Sequence, residues 1–264
     1  MNNHKSLFFI MACIGLGLMS GCQDADSGVP NQKAVDALAN LDEGPADDAS
    51  GTSSSETEKP ATKNGDIQAA QGDASADASK AGSGSSAKAI ATFGNGCYWC
   101  TEAVFQELNG IHSVVSGFSG GQSKDVTYRE VCEGTTGHAE VVHVEYDPSK
   151  VSYAELLQAF FLTHNPTTLN RQGADVGTQY RSAIFYHDEQ QKQLAEKAIE
   201  ELTAAEAFPD PIVTEVSKFS FFIPAMEKHQ DYFDKNPTDR YCLYNIPSKV
   251  KKIRKIFKDK LRNP

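Results

Sequence analysis

The pattern of apolar and polar positions divides the chain into two unlike parts. Residues 23–88 are mostly Ala, Asp, Ser, Gly, Glu and Lys, with no aromatic residue. Such a segment buries too little apolar surface to offset the entropy of ordering, so residues 22–88 are expected to form a disordered acidic linker. Residues 89–264 carry regular apolar patterns and are long enough for a sizeable core. We expect them to form one domain.

Strand and helix patterns alternate along this domain. Short apolar or alternating runs predict strands at 89–93, 113–118, 139–146, 181–186 and 212–216. Helical spacing and capping residues predict helices at 97–108, 125–132 (short, or a turn), 152–161, 188–205, 224–233 and 248–257. Interleaved strands and helices predict an α+β fold, a two-layer mixed sheet with flanking helices and a ferredoxin-like core.

The N-terminus has the pattern of an export signal. Lys5 precedes an apolar run at 7–18 that is too short to span a bilayer as a mature helix. The segment that follows ends in Ser-Gly-Cys and resembles the lipobox of bacterial lipoproteins. We therefore expect a signal peptide at 1–21, lipidation of Cys22, and an exported, membrane-anchored protein on the periplasmic or extracytoplasmic face. The alternative is an ordinary signal peptide that is cut nearby, which also predicts export.

Charge excludes one class of partner. The net charge is −10, and more than half of the acidic excess lies in the linker. An acidic chain without a basic stripe argues against nucleic acid as a partner.

A cysteine stands at the start of the first helix predicted in the domain. Unpaired N–H groups and the helix dipole favour a thiolate at such a position, so we expect the pKa of Cys97 to be lowered. Tyr98 and Trp99, the only tryptophan of the chain, follow directly. A nucleophilic sulfur beside aromatic rings predicts chemistry on a small, apolar substrate.

Cys97 and Cys100 also form a Cys-x-x-Cys pair, which has two other interpretations. A zinc site would need a second cysteine pair or two histidines at close spacing. His138 and His143 have a suitable separation, but an odd offset on a strand sends their rings to opposite faces. We therefore expect no metal. A thioredoxin-like dithiol remains open.

Two further segments carry polar chemistry. By strand alternation Glu140 shares a face with Val142, Val144 and Tyr146, where burial would raise its pKa and let it donate a proton near neutral pH. The alternative is an exposed glutamate at a strand edge. Residues 170–182 are polar and glycine-bearing, as functional loops often are.

Four segments together resemble the A-type peptide methionine sulfoxide reductases. They are 96–99 (Gly-Cys-Tyr-Trp), 127–132 (Thr-Tyr-Arg-Glu-Val-Cys), 137–140 (Gly-His-Ala-Glu) and 177–182 (Gly-Thr-Gln-Tyr-Arg-Ser). The likeness extends from about 91 to 242. It implies thiol-dependent reduction of methionine-S-sulfoxide, free or in proteins, through a cysteine sulfenic acid and an intramolecular disulfide.

The resemblance assigns a role to each matching position. It makes Cys97 the nucleophile and Glu140 the acid. The other matching residues bind substrate or order the site: Tyr128 and Tyr180 hydrogen-bond the sulfoxide oxygen, Asp175 orders the site, and Tyr98 and Trp99 hold the terminal methyl group. Tyr98 stands where the family usually has phenylalanine.

A second thiol must resolve the sulfenic acid. Cys242 matches the resolving position of the family and is favoured, while Cys100 shares a helix face with Cys97 and is the alternative. Cys132 is expected to be structural. The resemblance further implies no bound cofactor, a thioredoxin-like reductant, oxidised proteins or peptides as substrates, and a monomer.

Two competing functions remain at this point. One is a thiol-disulfide oxidoreductase that uses Cys97 and Cys100, and the other is a non-catalytic binding lipoprotein.

Overall fold

Six strands form one mixed sheet in the computed structural model, which describes residues 31–41 and 88–262. They are β1 (Ala89–Asn95), β2 (Ile111–Ser119), β3 (Ala139–Tyr146), β6 (Ser182–Tyr186), β7 (Glu215–Lys218) and β8 (Ile223–Pro224). A separate hairpin consists of β4 (Arg171–Gln172) and β5 (Asp175–Val176). The order in the large sheet is β7-β6-β1-β3-β2-β8, with β6 and β7 parallel and the other pairs antiparallel.

The helices of the described residues are α1 (Gln32–Leu38), α2 (Tyr98–Phe105), α3 (Tyr128–Cys132), α4 (Tyr153–Leu162), α5 (Glu189–Ala204), α6 (Tyr232–Lys235), α7 (Arg240–Asn245) and α8 (Pro247–Ile256). Short 3₁₀ turns occupy Thr178–Tyr180, Glu227–His229 and Lys258–Lys260. Helix α2 connects β1 to β2, and α4 lies between β3 and β6. With the strand order β6-β1-β3-β2, this arrangement confirms the predicted α+β fold and its ferredoxin-like core.

The core lies between the sheet and helices α2, α4 and α5. Phe93 is fully buried at its centre, and its ring stacks on Phe105, Tyr153 and Phe160 at centroid distances of 5.3, 5.8 and 5.4 Å. Such aromatic clusters bury large apolar areas and fix the packing of strand against helix. The chain around residues 219–222 covers a smaller cluster that consists of Ala139, Val141, Ala183 and Phe185.

Local capping explains where several helices begin. Ser152 and Glu155 form a reciprocal capping box at the start of α4, and Thr127 and Glu130 form another at α3. Asp188 caps α5 through the N–H of Gln191, as its position predicts.

Two predicted elements are corrected. The helix expected at 224–233 is replaced by β8, a 3₁₀ turn and the short α6, because the side chain of Gln230 bonds the backbone N–H and carbonyl of Ser116 and Asp231 adopts a left-handed φ of 53°. These contacts with β2 are not local, so helical spacing could not reveal them. The strand expected at 212–216 lies at 215–218, where β6 offers hydrogen bonds. Helix α7 and the β4–β5 hairpin, both short, are additional.

The linker prediction is wrong for residues 31–41. Helix α1 packs on α4 and α5, and its Ala34 and Leu38 are fully buried. Gln158 Nε2 donates a hydrogen bond to the carbonyl of Leu38 at 2.7 Å. The apolar stripe of α1 has no partner within its own segment, so only the domain surface lets it fold. The rest of the predicted linker, 42–87, lies outside the described residues.

None of the helices within 31–41 and 88–262 is long and apolar enough to cross a membrane. The predicted signal peptide and Cys22 lie outside the residues that the structure describes.

Candidate active site

The turn between β1 and α2 positions Cys97. Gly96 has a φ of 103°, and a Cβ at this position would lie 2.6 Å from the side chain of Gln172. Only glycine meets both requirements without strain. Cys97 is therefore the N-cap residue of α2, and its carbonyl accepts hydrogen bonds from the N–H groups of Cys100 and Thr101.

Glu140 lies next to the same helix start. Its Oε2 accepts a hydrogen bond from the N–H of Tyr98 at 3.1 Å, and its side chain is only 3% exposed. Burial raises the pKa of Glu140 to about 8, with smaller contributions from Asp175 and Cys100. The expectation of a buried acid with a raised pKa is therefore confirmed.

The pKa expectation for Cys97 is wrong. Burial, with the adjacent Cys100 and Glu140, holds the pKa of Cys97 well above its ordinary value. The second thiol behaves in the opposite way, because a hydrogen bond from Cys97 lowers the pKa of Cys100 to about 7. Desolvation outweighs the helix N-terminus at Cys97, and Cys100 is the thiol of the pair that ionises more readily.

A small cavity opens beside the two cysteines. Its lining comprises Cys97, Cys100, Gln172, Gly173, Asp175, Tyr241, Asn245 and Lys249. The Tyr241 hydroxyl donates to Asp175 Oδ2 at 2.6 Å and lies 3.7 Å from the Sγ of Cys100. The loop, α7 and α8 thus meet the start of α2 at this cavity. Sequence reasoning identified Asp175 but missed Tyr241 and Lys249, which have no local signal.

Aromatic rings form a second wall of the site. Trp99 stacks on Tyr232 at 3.7 Å with an interplanar angle of 6°, and on His229 at 5.7 Å. The ring of His229 also faces Tyr98 and Tyr128. His229 and Tyr232 were missed because they lie in the segment predicted as a continuous helix. The available signal was a histidine followed three residues later by a tyrosine, beyond Pro224.

Comparison with known proteins decides the family. The family model described as peptide methionine sulfoxide reductase matches residues 89–261. The chain belongs to this family.

Relatives and solved structures agree with this assignment. A peptide methionine sulfoxide reductase MsrA of Natronomonas pharaonis is 53% identical over 173 residues, which are 66% of this chain and 97% of the relative. MsrA 1 of Rhodopirellula baltica is 50% identical over 173 residues, with 66% and 89% covered. The structure of Mxr1 from Saccharomyces cerevisiae in reduced form is similar with a TM-score of 0.55 and 33% identity, covering 61% of this chain and 90% of that chain. The protein is an enzyme that reduces methionine sulfoxide.

The two tyrosines assigned to the sulfoxide oxygen both lie near the reductase site. Burial raises the pKa of Tyr128 and of Tyr180, and the nearby Glu140 and Cys97 contribute to both shifts. Both hydroxyls therefore remain protonated donors at neutral pH. Tyr180 is held by the 3₁₀ turn that follows Gly177, and Tyr128 begins α3.

The remaining cysteines are more remote from the cavity. Cys242 is fully buried in α7, and this burial raises its pKa to about 11. Its neighbour Tyr241 lines the cavity, whereas Cys242 does not. Cys132 ends α3 next to Tyr128. The preference for Cys242 as the resolving thiol stays a prediction.

The two histidines considered for zinc have separate environments. His138 lies against Gly121 and Phe221, while His143 Nδ1 pairs with the hydroxyl of Thr92 at 2.9 Å. Within 31–41 and 88–262 no group of three or more His, Cys, Asp or Glu side chains could hold a metal ion.

Proposed function

We propose that this reductase acts on the S epimer of methionine sulfoxide, free or in proteins, and uses Cys97 as nucleophile and Glu140 as acid. The observation that carries the proposal is the position of Glu140. A carboxyl with a pKa of about 8 lies at the N-terminus of α2, next to the N-cap residue Cys97. A protonated acid beside a thiol is the pair that sulfoxide reduction requires.

In the first half-reaction the sulfur of Cys97 attacks the sulfoxide sulfur while Glu140 protonates the oxygen. The hydrogen bond from Cys97 to Cys100 gives the thiol proton a path away from the attacking sulfur. The oxygen passes to Cys97 as a sulfenic acid, and methionine is released. Two electrons leave the cysteine sulfur and reduce the sulfoxide.

The other site residues hold the substrate. The hydroxyls of Tyr128 and Tyr180, protonated at neutral pH, are suited to donate to the sulfoxide oxygen. Tyr98 and the Trp99–Tyr232 stack provide an apolar wall for the terminal methyl group.

The second half-reaction needs a resolving thiol and an external reductant. Attack of the resolving thiol on the sulfenic acid gives a disulfide and water, and a thioredoxin-like dithiol donor then restores both thiols by exchange. No bound cofactor takes part in this scheme.

The test is a steady-state assay on separated R and S epimers of a blocked methionine sulfoxide. Wild type and Cys97→Ser are compared with dithiothreitol and with thioredoxin as donors. We expect S-epimer turnover by wild type and its loss in Cys97→Ser under both donors. Turnover of the R epimer, or activity retained in Cys97→Ser, would overturn the proposal. Insulin reduction that is lost in Cys100→Ser would instead favour the thiol-disulfide oxidoreductase.

We further propose that the enzyme is an exported monomer, anchored to the membrane through lipidated Cys22. The apolar run at 7–18 and the Ser-Gly-Cys sequence support this location. Metabolic labelling with a fatty-acid analogue should mark the wild type and spare Cys22→Ala. Label that persists in Cys22→Ala would contradict the anchor.

A further inference from the structure

A buried lysine lines the cavity of the two thiols, and no carboxylate of the described residues forms an ion pair with it. Lys249 is only 5% exposed, lies in the first turn of α8, and lines the cavity with Cys97 and Cys100. Its backbone N–H donates to the carbonyl of Ile246, but within 31–41 and 88–262 its ammonium group has no hydrogen-bond acceptor and no carboxylate within 4 Å. A buried ammonium group without a partner is costly, so such a residue is usually retained for a task.

The charge of Lys249 acts on Cys100, and the groups near the lysine leave this effect in place. His164, which also lies near Lys249, is fully buried and bonded to the Phe160 carbonyl and the Ser182 hydroxyl. Burial lowers the pKa of His164 to about 3, so this ring is neutral and adds no charge of its own. The carboxylate of Asp175 is occupied by the Tyr241 hydroxyl.

We propose that Lys249 stabilises the thiolate of Cys100 and thereby makes Cys100 the thiol that resolves oxidised Cys97. The inference rests on the proposed function, because it requires a sulfenic acid on Cys97. In this step the Cys100 thiolate attacks the sulfur of Cys97, an S–S bond forms, and the S–O bond breaks. The oxygen leaves as hydroxide, and the proton that Cys100 released on ionisation completes the water.

Three features of the site distinguish Cys100 from Cys242. Cys100 lines the same cavity as Cys97 and is one helical turn away from it, so no rearrangement of the fold is needed for attack. The hydrogen bond from Cys97, the charge of Lys249 and Tyr241 all lower the pKa of Cys100 against the effects of burial and Asp175. Burial raises the pKa of Cys242 instead, which keeps it a thiol.

The electrostatic environment of Cys100 comes from several elements. Cys97 precedes it on α2, Glu140 approaches from β3, and Asp175, Tyr241 and Lys249 face it from β5, α7 and α8. Lys249 is the only cation in this set. Its removal should therefore move the ionisation of Cys100 to higher pH, by one to three pH units for the loss of one close opposite charge.

The experiment is a single turnover of the reduced full chain with one equivalent of a blocked methionine S-sulfoxide. Methionine formation reports the first half-reaction, and the loss of the second thiol reports disulfide formation. Disulfide mapping by mass spectrometry identifies the partner of Cys97. The variants are Lys249→Met, Lys249→Arg as the charge-retaining variant, and Lys251→Met as the matched control on the exposed side of α8.

Below pH 7 we expect Lys249→Met to reduce the ratio of disulfide formation to methionine formation by about three- to fortyfold. The range follows from the shift of one to three pH units, partly offset because a more basic thiolate is the better nucleophile. The ratio should recover at alkaline pH, and the midpoint of its pH profile should move upward. Lys249→Arg should stay close to wild type, and Lys251→Met should equal it.

Two results would overturn the inference. One is a first-turnover disulfide between Cys97 and Cys242 in wild type, and the other is a Lys249→Met profile that matches Lys251→Met. If Lys249→Met does not fold, Lys249→Gln replaces it in the pH profile, and the disulfide mapped in wild type still tests Cys100 as the resolving thiol. Wild type that forms no methionine would refute the proposed function itself, which is a different outcome from methionine formation with another disulfide.

Discussion

Replacing Glu140 with glutamine should separate activity from stability. The buried carboxyl is the acid of the proposed reaction, and it is also costly for the fold to ionise. Glutamine keeps the size of the side chain and can still accept the hydrogen bond from the N–H of Tyr98. It cannot donate a proton to a leaving oxygen. General acids of this kind contribute 10²- to 10⁴-fold in rate, so we expect the first half-reaction to slow by about that factor.

The pH dependence follows from the direction of the shift. The folded-state pKa of Glu140, about 8, lies above its ordinary value of 4.5, so the folded protein binds the proton more tightly than the unfolded chain does. The contribution of Glu140 to the free energy of unfolding is most favourable below pH 4.5. It is lost progressively as the pH rises towards 8. Between pH 4.5 and 7, at 1.36 kcal/mol per pH unit, the loss amounts to about 3 kcal/mol.

The assay measures the free energy of unfolding of wild type and Glu140→Gln by urea denaturation between pH 4.5 and 8. The difference between the two proteins should change by about 3 kcal/mol up to pH 7, in favour of Glu140→Gln. In parallel, the wild-type rate of methionine formation should fall above pH 8, where Glu140 ionises. The rate of Glu140→Gln should show no such fall. If the difference in the free energy of unfolding between the two proteins does not change with pH, the raised pKa of the buried Glu140 is refuted. A variant as active as wild type would refute its role as the acid.

Three further predictions test other parts of the site and fold. Gly96→Ala should lower both the melting temperature and kcat/KM, because a Cβ would meet Gln172 at a φ of 103°; an unchanged variant would show that the turn can adapt. Trp99→Ala should reduce kcat/KM by about tenfold or more through lost apolar contact, while Leu243→Ala, at an exposed position, should not. Leu38→Asp should abolish hydrogen-exchange protection in α1 and leave methionine formation intact; retained protection would contradict the docking of this helix.

Several features could be predicted from the sequence because they depend on local physics. The alternation along β3 placed Glu140 on the apolar face, and the same alternation predicted its raised pKa. Ser152 and Asp188 marked the starts of α4 and α5 through side-chain bonds to residues three positions further on. The glycine before Cys97 and the apolar run after it located the start of α2.

Other features depended on groups that are distant along the chain. The pKa of Cys97 was predicted to be lowered, but it is raised. The effect of the helix N-terminus can be predicted from local sequence, whereas the desolvation of the thiol comes from the surrounding fold. The lysine that faces the cavity and the aromatic stack on Trp99 come from segments more than a hundred residues later.

The sequence alone indicated most of the element types, the family and a set of candidate site residues, since each follows from a short-range pattern or motif. Only the tertiary structure decided which thiol ionises first, which cation lies near it, and that α1 folds at all. Those outcomes depend on burial and on pairwise Coulomb interactions, which are set by distances in space rather than by spacing along the chain.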